Sequence, residues 1–250
     1  MGNDNKISKS SKTWDERFAT GEFSAAEPHK LLIALVENLK AGKALDLACG
    51  TGRNAIFLAE KGFQVTAVDN SSVGIEIAKQ RAKEKSVEID FRVADLEKDE
   101  FAIEENSYDL ICDFYYLQRD LFAAMKKGVK SGGIIISTIH FYGKGEEAGK
   151  FLLREGELKR FFDDFEILHY HEMPQTDTDA GEHHRRTAEI ISRKGEKVKG
   201  KKVKRGKGEK VCSFVRNQTF TLFTFLPFPP FCHQNPSSRN KLKPFFIKIE

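Results

Sequence analysis

Gly50 and Gly52 flank a single threonine, and three aspartates are spaced around them: Asp46 just before, Asp69 nineteen residues after Gly50, and Asp95 farther along. A Gly-x-Gly turn allows what larger residues resist. Gly50 admits a positive φ, and Gly52 carries no side chain to keep a ligand off the backbone. A helix beginning near Arg53 would present first-turn N–H groups that have no helical partner. A carboxylate at Asp69 is placed to accept both hydroxyls of a ribose, and one at Asp95 to accept from an adenine amino group. Gly50-Thr51-Gly52-Arg53-Asn54-Ala55 also fits a relaxed dinucleotide fingerprint. Asp46 opposes that reading, because a dinucleotide fold fills its position with an apolar residue and a carboxylate repels a pyrophosphate. The set suits a ligand with a ribose, an adenine and a cationic tail. Helix capping or loop solvation would account for the same acids without any ligand.

A second group gathers later in the chain. His140, His171 and Glu172 end predicted strands, and His183-His184-Arg185-Arg186 precedes the last one. An imidazole with a pKa near 6.5 can take a proton from an oxygen or nitrogen nucleophile. A guanidinium fork can bind two oxygens of an anion. Each of these residues also reads as an ordinary polar loop or strand-start residue.

The elements that must position them alternate. Glu27–Leu39 has apolar residues at helical spacing and ends at Ala41-Gly42. Strands are predicted at Lys43–Ala48, Gln64–Val68, Val87–Val93, Tyr108–Phe114, Ile134–Ile139, Phe165–His171 and Thr187–Ser192. Helices fall at Arg53–Lys61, Ser71–Lys85 with Ser71 or Ser72 as cap, Gln118–Lys130 stopped by Ser131-Gly132-Gly133, and Arg154–Phe162. Trp14–Phe23 reads as a short segment with exposed aromatics. The fourth and fifth strands are apolar on both faces, as strands inside a helix-covered parallel sheet are. The expectation is an α/β fold with a doubly wound, mostly parallel seven-stranded sheet. The loop before the last strand is too short for a crossover helix, so that strand should run antiparallel.

The formal net charge of +4 averages unlike segments. Residues 1–193 are acidic, which argues against a surface built to grip nucleic acid. Residues 194–210 hold nine basic and two acidic residues and no apolar period. Residues 211–250 are rich in Phe and Pro. The division expected is a disordered lead over 1–12, a catalytic domain over 13–195 and a tail over 196–250 outside the fold. The tail is expected to be either an adaptor for anionic lipid or RNA, or a gene-model accident in which non-coding sequence is read past the true stop. Cys49, Cys112, Cys212 and Cys232 form no close pair and no metal-ligand spacing, so no metal is expected and a reducing cytoplasm is the simplest setting. No apolar run is long enough for a membrane span.

The segment DLACGTGRNAIFLAEKGFQVTAVD resembles the signature of class I S-adenosylmethionine-dependent methyltransferases, whose fold is Rossmann-like. Gly52-Arg53-Asn54, the later Gly156–Phe162 helix and a His-Arg pair before the last strand resemble the tellurite-resistance methyltransferases and their small-molecule relatives. The likeness spans roughly 13–195. It implies S-adenosyl-L-methionine as cofactor, with Gly50 and Gly52 at its methionine part and Asp46 near its amino group. Ala48, Arg53 and Asn54 belong to the same loop. Asp69 and Asn70 fall to the ribose, and Asp95 and Leu96 to the adenine. Asp113, counted with the cofactor set, also occupies a place where the class carries substrate-facing groups. His184 with Arg185 or Arg186 is the implied acceptor site, and the His-His-Arg-Arg run admits more than one register. The acceptor expected is a small molecule, a chalcogen oxyanion or a thiol. Two other readings stay open: an RNA or protein methyltransferase targeted by the basic tail, and a non-catalytic scaffold that binds the cofactor. Replacing Asp69 is expected to leave the fold intact, because the residue ends a strand.

Overall fold

The computed structural model describes residues 12–23, 25–141, 152–172 and 186–196. Seven strands form one sheet in the order β3-β2-β1-β4-β5-β7-β6. They are β1 Lys43–Leu47, β2 Gln64–Asp69, β3 Asp90–Val93, β4 Tyr108–Phe114, β5 Val129–His140, β6 Glu166–Glu172 and β7 Thr187–Arg193. β1 pairs in parallel with β2 and β4, β2 with β3, and β4 with β5. β7 runs antiparallel to both β5 and β6. The doubly wound, mostly parallel sheet and its antiparallel last strand are as the sequence led one to expect.

Alternation along the strands builds a core on each side. Leu45, Leu47, Ile111 and Ile135 face Phe122 and Met125 of α5 (Leu121–Gly128) and Leu158 of α6 (Glu157–Arg160). Ala44, Leu110, Cys112 and Ile136 face Leu32 and Leu35 of α2 (Lys30–Val36) and Ala55 and Leu58 of α3 (Arg53–Glu60). Each large apolar side chain fully buried here is worth roughly 1.5–3 kcal/mol over leaving it in water, so neither face of the sheet can be left bare. α4 (Ser72–Glu84) takes Ser71 as its cap: the Ser71 hydroxyl accepts from the Gly74 N–H at 3.0 Å.

Several boundaries differ from expectation, among them the helix expected over Glu27–Leu39, which keeps Lys30–Val36, and the strand expected over Val87–Val93, which begins at Asp90. Ser131-Gly132-Gly133 lies inside β5 and does not stop a helix, because Val129 already pairs with Tyr108 and the register shifts before Leu110 meets Ile134. α5 therefore ends at Gly128, where the chain turns at once into the strand. α6 keeps only Glu157–Arg160, since Gly156 at φ +70 breaks the chain direction before it. Trp14–Phe23 contains a helix, α1 (Trp14–Ala19), closed by a capping box between Thr13 and Glu16. Its Trp14 is exposed as expected, but its Phe18 is buried.

Candidate active site

The carboxyl ends of β1, β2 and β4 meet where open α/β sheets hold their ligands. β1 leaves the sheet through Ala48 at φ +52, then Gly50 at φ +55 and Gly52 at φ +80. A Cβ on Gly52 would lie 2.8 Å from that of Ala78 on α4, so the loop sits against that helix without room for a side chain. Asp69 holds the loop from β2. Its Oδ2 accepts from the Gly50 N–H at 2.8 Å and its Oδ1 from the Ser71 N–H at 2.9 Å. The residue is buried, and that burial raises its pKa against the pull of the backbone donors. Two backbone N–H groups, the part-buried one of Gly50 and the buried one of Ser71, depend on this strand-ending residue, so its replacement should cost stability even with the fold intact. Each oxygen keeps a further lone pair for an outside donor such as a ribose hydroxyl.

α1 lies over this loop. Asp15 accepts from the Ser71 hydroxyl and, at 3.2 Å, from the Val73 N–H, so a carboxylate from another helix sits at the start of α4. Phe18 covers the loop so closely that a Cβ on Gly50 would come within 3.2 Å of its ring.

Two carboxyls lie deeper. Asp46 and Asp113 are each 1% exposed, on neighbouring strands and one register position apart. Burial pushes the Asp46 carboxyl up to about 7, against the pull of the Arg53 guanidinium. Burial and then the charge of Asp46 push Asp113 well above the usual carboxylate range. Asp46 Oδ2 and Asp113 Oδ1 have no hydrogen-bond partner. Burial, followed by the charges of Asp46 and Asp69, pushes the Cys49 thiol well above its usual range.

Beside Asp46, on the side covered by α2 and α3, the edge is aromatic. The His29 ring lies 4.7 Å from Phe114 and 5.7 Å from Tyr115, and the His140 ring stacks on Tyr115 at 5.1 Å. Tyr115 leaves β4 at φ +66, pinned by its N–H to the Thr138 carbonyl. The Arg53 guanidinium lies 5.8 Å from the Tyr115 ring centre. Asn54, buried behind it, accepts from the His29 N–H at 2.9 Å. His29 caps α2: its Nδ1 accepts from the Leu31 N–H at 3.2 Å, which leaves the proton of the neutral ring on Nε2.

The other expected site residues divide. Asp95 caps the 3-10 turn Leu96–Lys98, accepting from the Glu97 N–H, and is paired with Lys98 at 2.9 Å. Leu96 is buried behind it, and Asn70 is exposed beside Asp69. His140 stands at the edge as expected. His171 does not join it: it is exposed on β6, the outer strand. Glu172 is held by the Gly156 N–H at 2.6 Å and by Tyr170. Arg186 lies at the end of β5, where its carbonyl accepts from the Phe141 N–H at 3.0 Å. His183, His184 and Arg185 lie outside the described residues. Sequence reasoning missed Asp15, Phe18, His29 and Tyr115. A His before the apolar period of α2 was the only sign of His29, and nothing local marked its ring as buried.

S-adenosylmethionine fits what is present. A buried carboxyl with a partnerless oxygen suits an ammonium or sulfonium, Asp69 suits the ribose, and the glycine loop leaves the backbone open to close approach. Among the described residues no His, Cys, Asp and Glu group is arranged to hold a metal.

Residues 12–201 match the family described as tellurite resistance protein TehB. A probable S-adenosyl-L-methionine-dependent methyltransferase TehB of Haemophilus influenzae is 24% identical over 193 residues, covering 72% of this chain and 66% of its own. Hemagglutinin 1 of Eikenella corrodens is 29% identical over 154 residues, covering 58% of this chain and 50% of its own. The chain thus spans between half and two thirds of the length of these relatives. Among solved structures, Haemophilus influenzae TehB superposes with a TM-score of 0.58 at 23% identity, over 72% of this chain and 67% of that one. Phosphoethanolamine N-methyltransferase 2 of Haemonchus contortus, in complex with S-adenosyl-L-methionine, gives 0.58 at 19% identity, over 75% and 59%. Both structural likenesses are of fold. With residues 12–201, most of the chain, matched by the family model, this chain belongs to the TehB family of tellurite resistance proteins.

Proposed function

We propose that this chain transfers a methyl group from S-adenosylmethionine to a small-molecule acceptor, a chalcogen oxyanion or a thiol. The observation that carries the reading is Asp46: a nearly unexposed carboxyl, with one oxygen unpartnered, directly before a glycine loop that Asp69 holds by its Gly50 N–H. A dinucleotide would bring a pyrophosphate to that carboxyl, whereas a methionine-derived tail brings cations. When bound, S-adenosylmethionine supplies a sulfonium methyl that an incoming lone pair takes, the sulfur keeping the electrons of the broken bond. The protein's task is then mainly positioning, with the nucleophile held about 3–3.5 Å from the methyl carbon. Asp46 binds the cationic end, Asp69 and Asn70 the ribose, and Asp95 and Leu96 the adenine. The loop residues Ala48, Gly50, Gly52, Arg53 and Asn54 shape the methionine side, with Asp113 behind them. His184 and one of Arg185 or Arg186 orient the acceptor. Support for the last assignment is the place of Arg186 at the end of β5.

Among the described residues no helix is long and apolar enough to cross a membrane. The free thiols of Cys49 and Cys112 support a cytoplasmic setting within the same proposal.

The test is calorimetric titration with S-adenosylmethionine, then release of S-adenosylhomocysteine with tellurite, selenite and small thiols. Binding with turnover of one of these is the expected result. Absence of binding overturns the reading, and binding without turnover on any acceptor leaves a scaffold.

A further inference from the structure

α1 reaches the glycine turn through two side chains, Asp15 by way of Ser71 and Phe18 directly, and the cofactor assignments above use neither. Ser71 is committed in every direction. Its N–H donates to Asp69 Oδ1 at 2.9 Å, its carbonyl accepts from the Ile75 N–H at 3.1 Å, and its hydroxyl accepts from the Gly74 N–H at 3.0 Å while donating to Asp15. Asp69 carries the connection on to the Gly50 N–H at 2.8 Å. A line of hydrogen bonds, Asp15–Ser71–Asp69–Gly50, thus joins α1, the cap of α4, the end of β2 and the loop. The Ser71 hydroxyl and then the Val73 N–H hold the Asp15 carboxyl below its usual range, so it is ionised and can only accept. Capping explains little of this arrangement. α4 already has its cap in the Ser71 hydroxyl, and Asp15 adds only the Val73 N–H at 3.2 Å. Burial first, and among lesser causes the charge of Asp15, raise the Asp69 pKa, so the second acid stands there against an electrostatic cost. Phe18 is fitted as closely. A Cβ on Gly50 would lie 3.2 Å from its ring, and one on Gly74 would lie 3.0 Å from it. Two glycines make room for one ring, and one of them sits inside α4, where glycine costs stability.

We propose that α1 is a working part of the cofactor site: Asp15 is a positioning residue that acts through Ser71 to hold the Asp69 carboxylate at the angle a ribose requires, while Phe18 holds the glycine turn. The inference rests on the S-adenosylmethionine reading and adds a residue that acts on the cofactor only through another. Asp69 takes one of its two backbone bonds from Ser71, so any drift of Ser71 tilts the carboxylate. A hydrogen bond weakens steeply as its angle closes, and a tilt is therefore felt at the ribose hydroxyls. Asp15 removes that freedom. It stands in the first turn of a helix that is itself fixed by the capping box of Thr13 and Glu16, and it grips Ser71 from the side opposite Asp69's own bond to the loop. Phe18, on the same helix, is backed by Trp14, whose ring stacks on it with centroids 5.6 Å apart. Coupling of this kind is reciprocal: if α1 steadies the cofactor, the bound cofactor steadies α1.

The test uses the full chain, with S-adenosylmethionine titrated by calorimetry. Asp15→Ala should raise the Kd roughly tenfold, the lower end of what a lost hydrogen bond to a charged group costs. Asp15→Asn keeps an oxygen that can accept from Ser71 and should stay within about threefold of the parent. Added to Asp69→Ala, the Asp15→Ala change should cost less than about twofold more, because its route to the cofactor is already cut. Reciprocity supplies a measurement on the unaltered chain, which stands whether or not a variant folds. Saturation with S-adenosylhomocysteine should slow amide exchange at Arg17 and Thr20 of α1 and its cap, whose N–H groups bond the Thr13 and Glu16 carbonyls. The positioning role is overturned if Asp15→Ala leaves the Kd unchanged, if its whole effect persists beside Asp69→Ala, or if Asp15→Asn fails as badly as Asp15→Ala. Exchange in α1 that ignores the ligand overturns it as well. A parent chain that binds no S-adenosylmethionine overturns the cofactor reading and this inference together, whereas a parent that binds while any of the other results is found overturns the positioning role alone.

Discussion

Asp46 lies one residue before the end of β1 and Asp69 ends the neighbouring β2; both are buried, and they use burial differently. Asp69 commits its carboxylate to the Gly50 and Ser71 N–H groups. Asp69→Ala should weaken S-adenosylmethionine binding by about 1.5–3 kcal/mol and lower stability by about 1–3 kcal/mol, because a buried and a part-buried donor lose their acceptor. Calorimetry and urea unfolding on the same variant separate the two effects; unchanged stability would mean that the loop holds itself. Asp46 instead keeps an oxygen unpartnered and a pKa raised to about 7. Above the ordinary carboxylate value near 4, the unfolded chain has released this proton while the folded chain still holds it. The stabilising contribution of this carboxyl is therefore complete below about pH 4 and is lost as the pH climbs through about 7. The ligand-free protein should melt at lower temperature at pH 8 than at pH 5.5, and Asp46→Asn should flatten that slope. An unaltered slope in the variant would show that Asp46 ionises normally. These acids were legible in the sequence because strand ends and glycine spacing fix them locally. His29 was not: its ring meets Phe114 and Tyr115, about 85 positions away, and only the fold supplies those neighbours.

At the scale of elements, the strands were easier to read than the helix ends. β4 matched its predicted limits because a run apolar on both faces has few alternatives inside a parallel sheet. The start of β5 was misread because Ser131-Gly132-Gly133 has the composition of a helix stop, and only pairing of Val129 with Tyr108 shows that it is strand. The glycine loop depends on α4 and α1 as well as on β1. Gly52→Ala would place a methyl carbon 2.8 Å from the Ala78 Cβ while holding φ at +80. That substitution should cost about 1–3 kcal/mol and displace the start of α3, lowering cofactor affinity with it. Asp15→Ala should cost about 1 kcal/mol, the usual worth of a helix cap, by freeing the Val73 N–H and the Ser71 hydroxyl. Amide hydrogen exchange in α1 and the first turn of α4 should quicken together in that variant. Exchange confined to α1 would show that the helix rests on Phe18 alone.

Across the molecule, the topology could be read from two features of the sequence: strands alternating with helices, and a last loop too short to carry a crossover. Where the fold ends was less legible, since the basic run begins at Lys194, one residue inside the limit of 195 expected for the domain. The structure gives Lys194 a place in the domain. Its N–H bonds the Gly133 carbonyl, and its own carbonyl accepts from the Gly132 N–H at 2.8 Å. Its ammonium donates to the carbonyls of Lys126 at 2.7 Å and Val129 at 2.8 Å. A positive charge at the last carbonyls of α5 also favours the helix dipole. Two truncations separate the domain from the tail. A chain ending after residue 201, where the family match stops, keeps every one of these bonds. It should melt within about 2 °C of the full chain, because the removed segment is basic or Phe- and Pro-rich with no strand or helix period. Its affinity for S-adenosylmethionine should be unchanged. A chain ending after Arg193 loses the Lys194 clasp and should melt roughly 2–10 °C lower, as expected for about 1–3 kcal/mol in a domain of this size. If the longer truncated chain loses its cooperative transition, residues beyond 201 pack on the sheet and the boundary is wrong. If the two truncated chains melt alike, the clasp contributes nothing and the domain ends at β7.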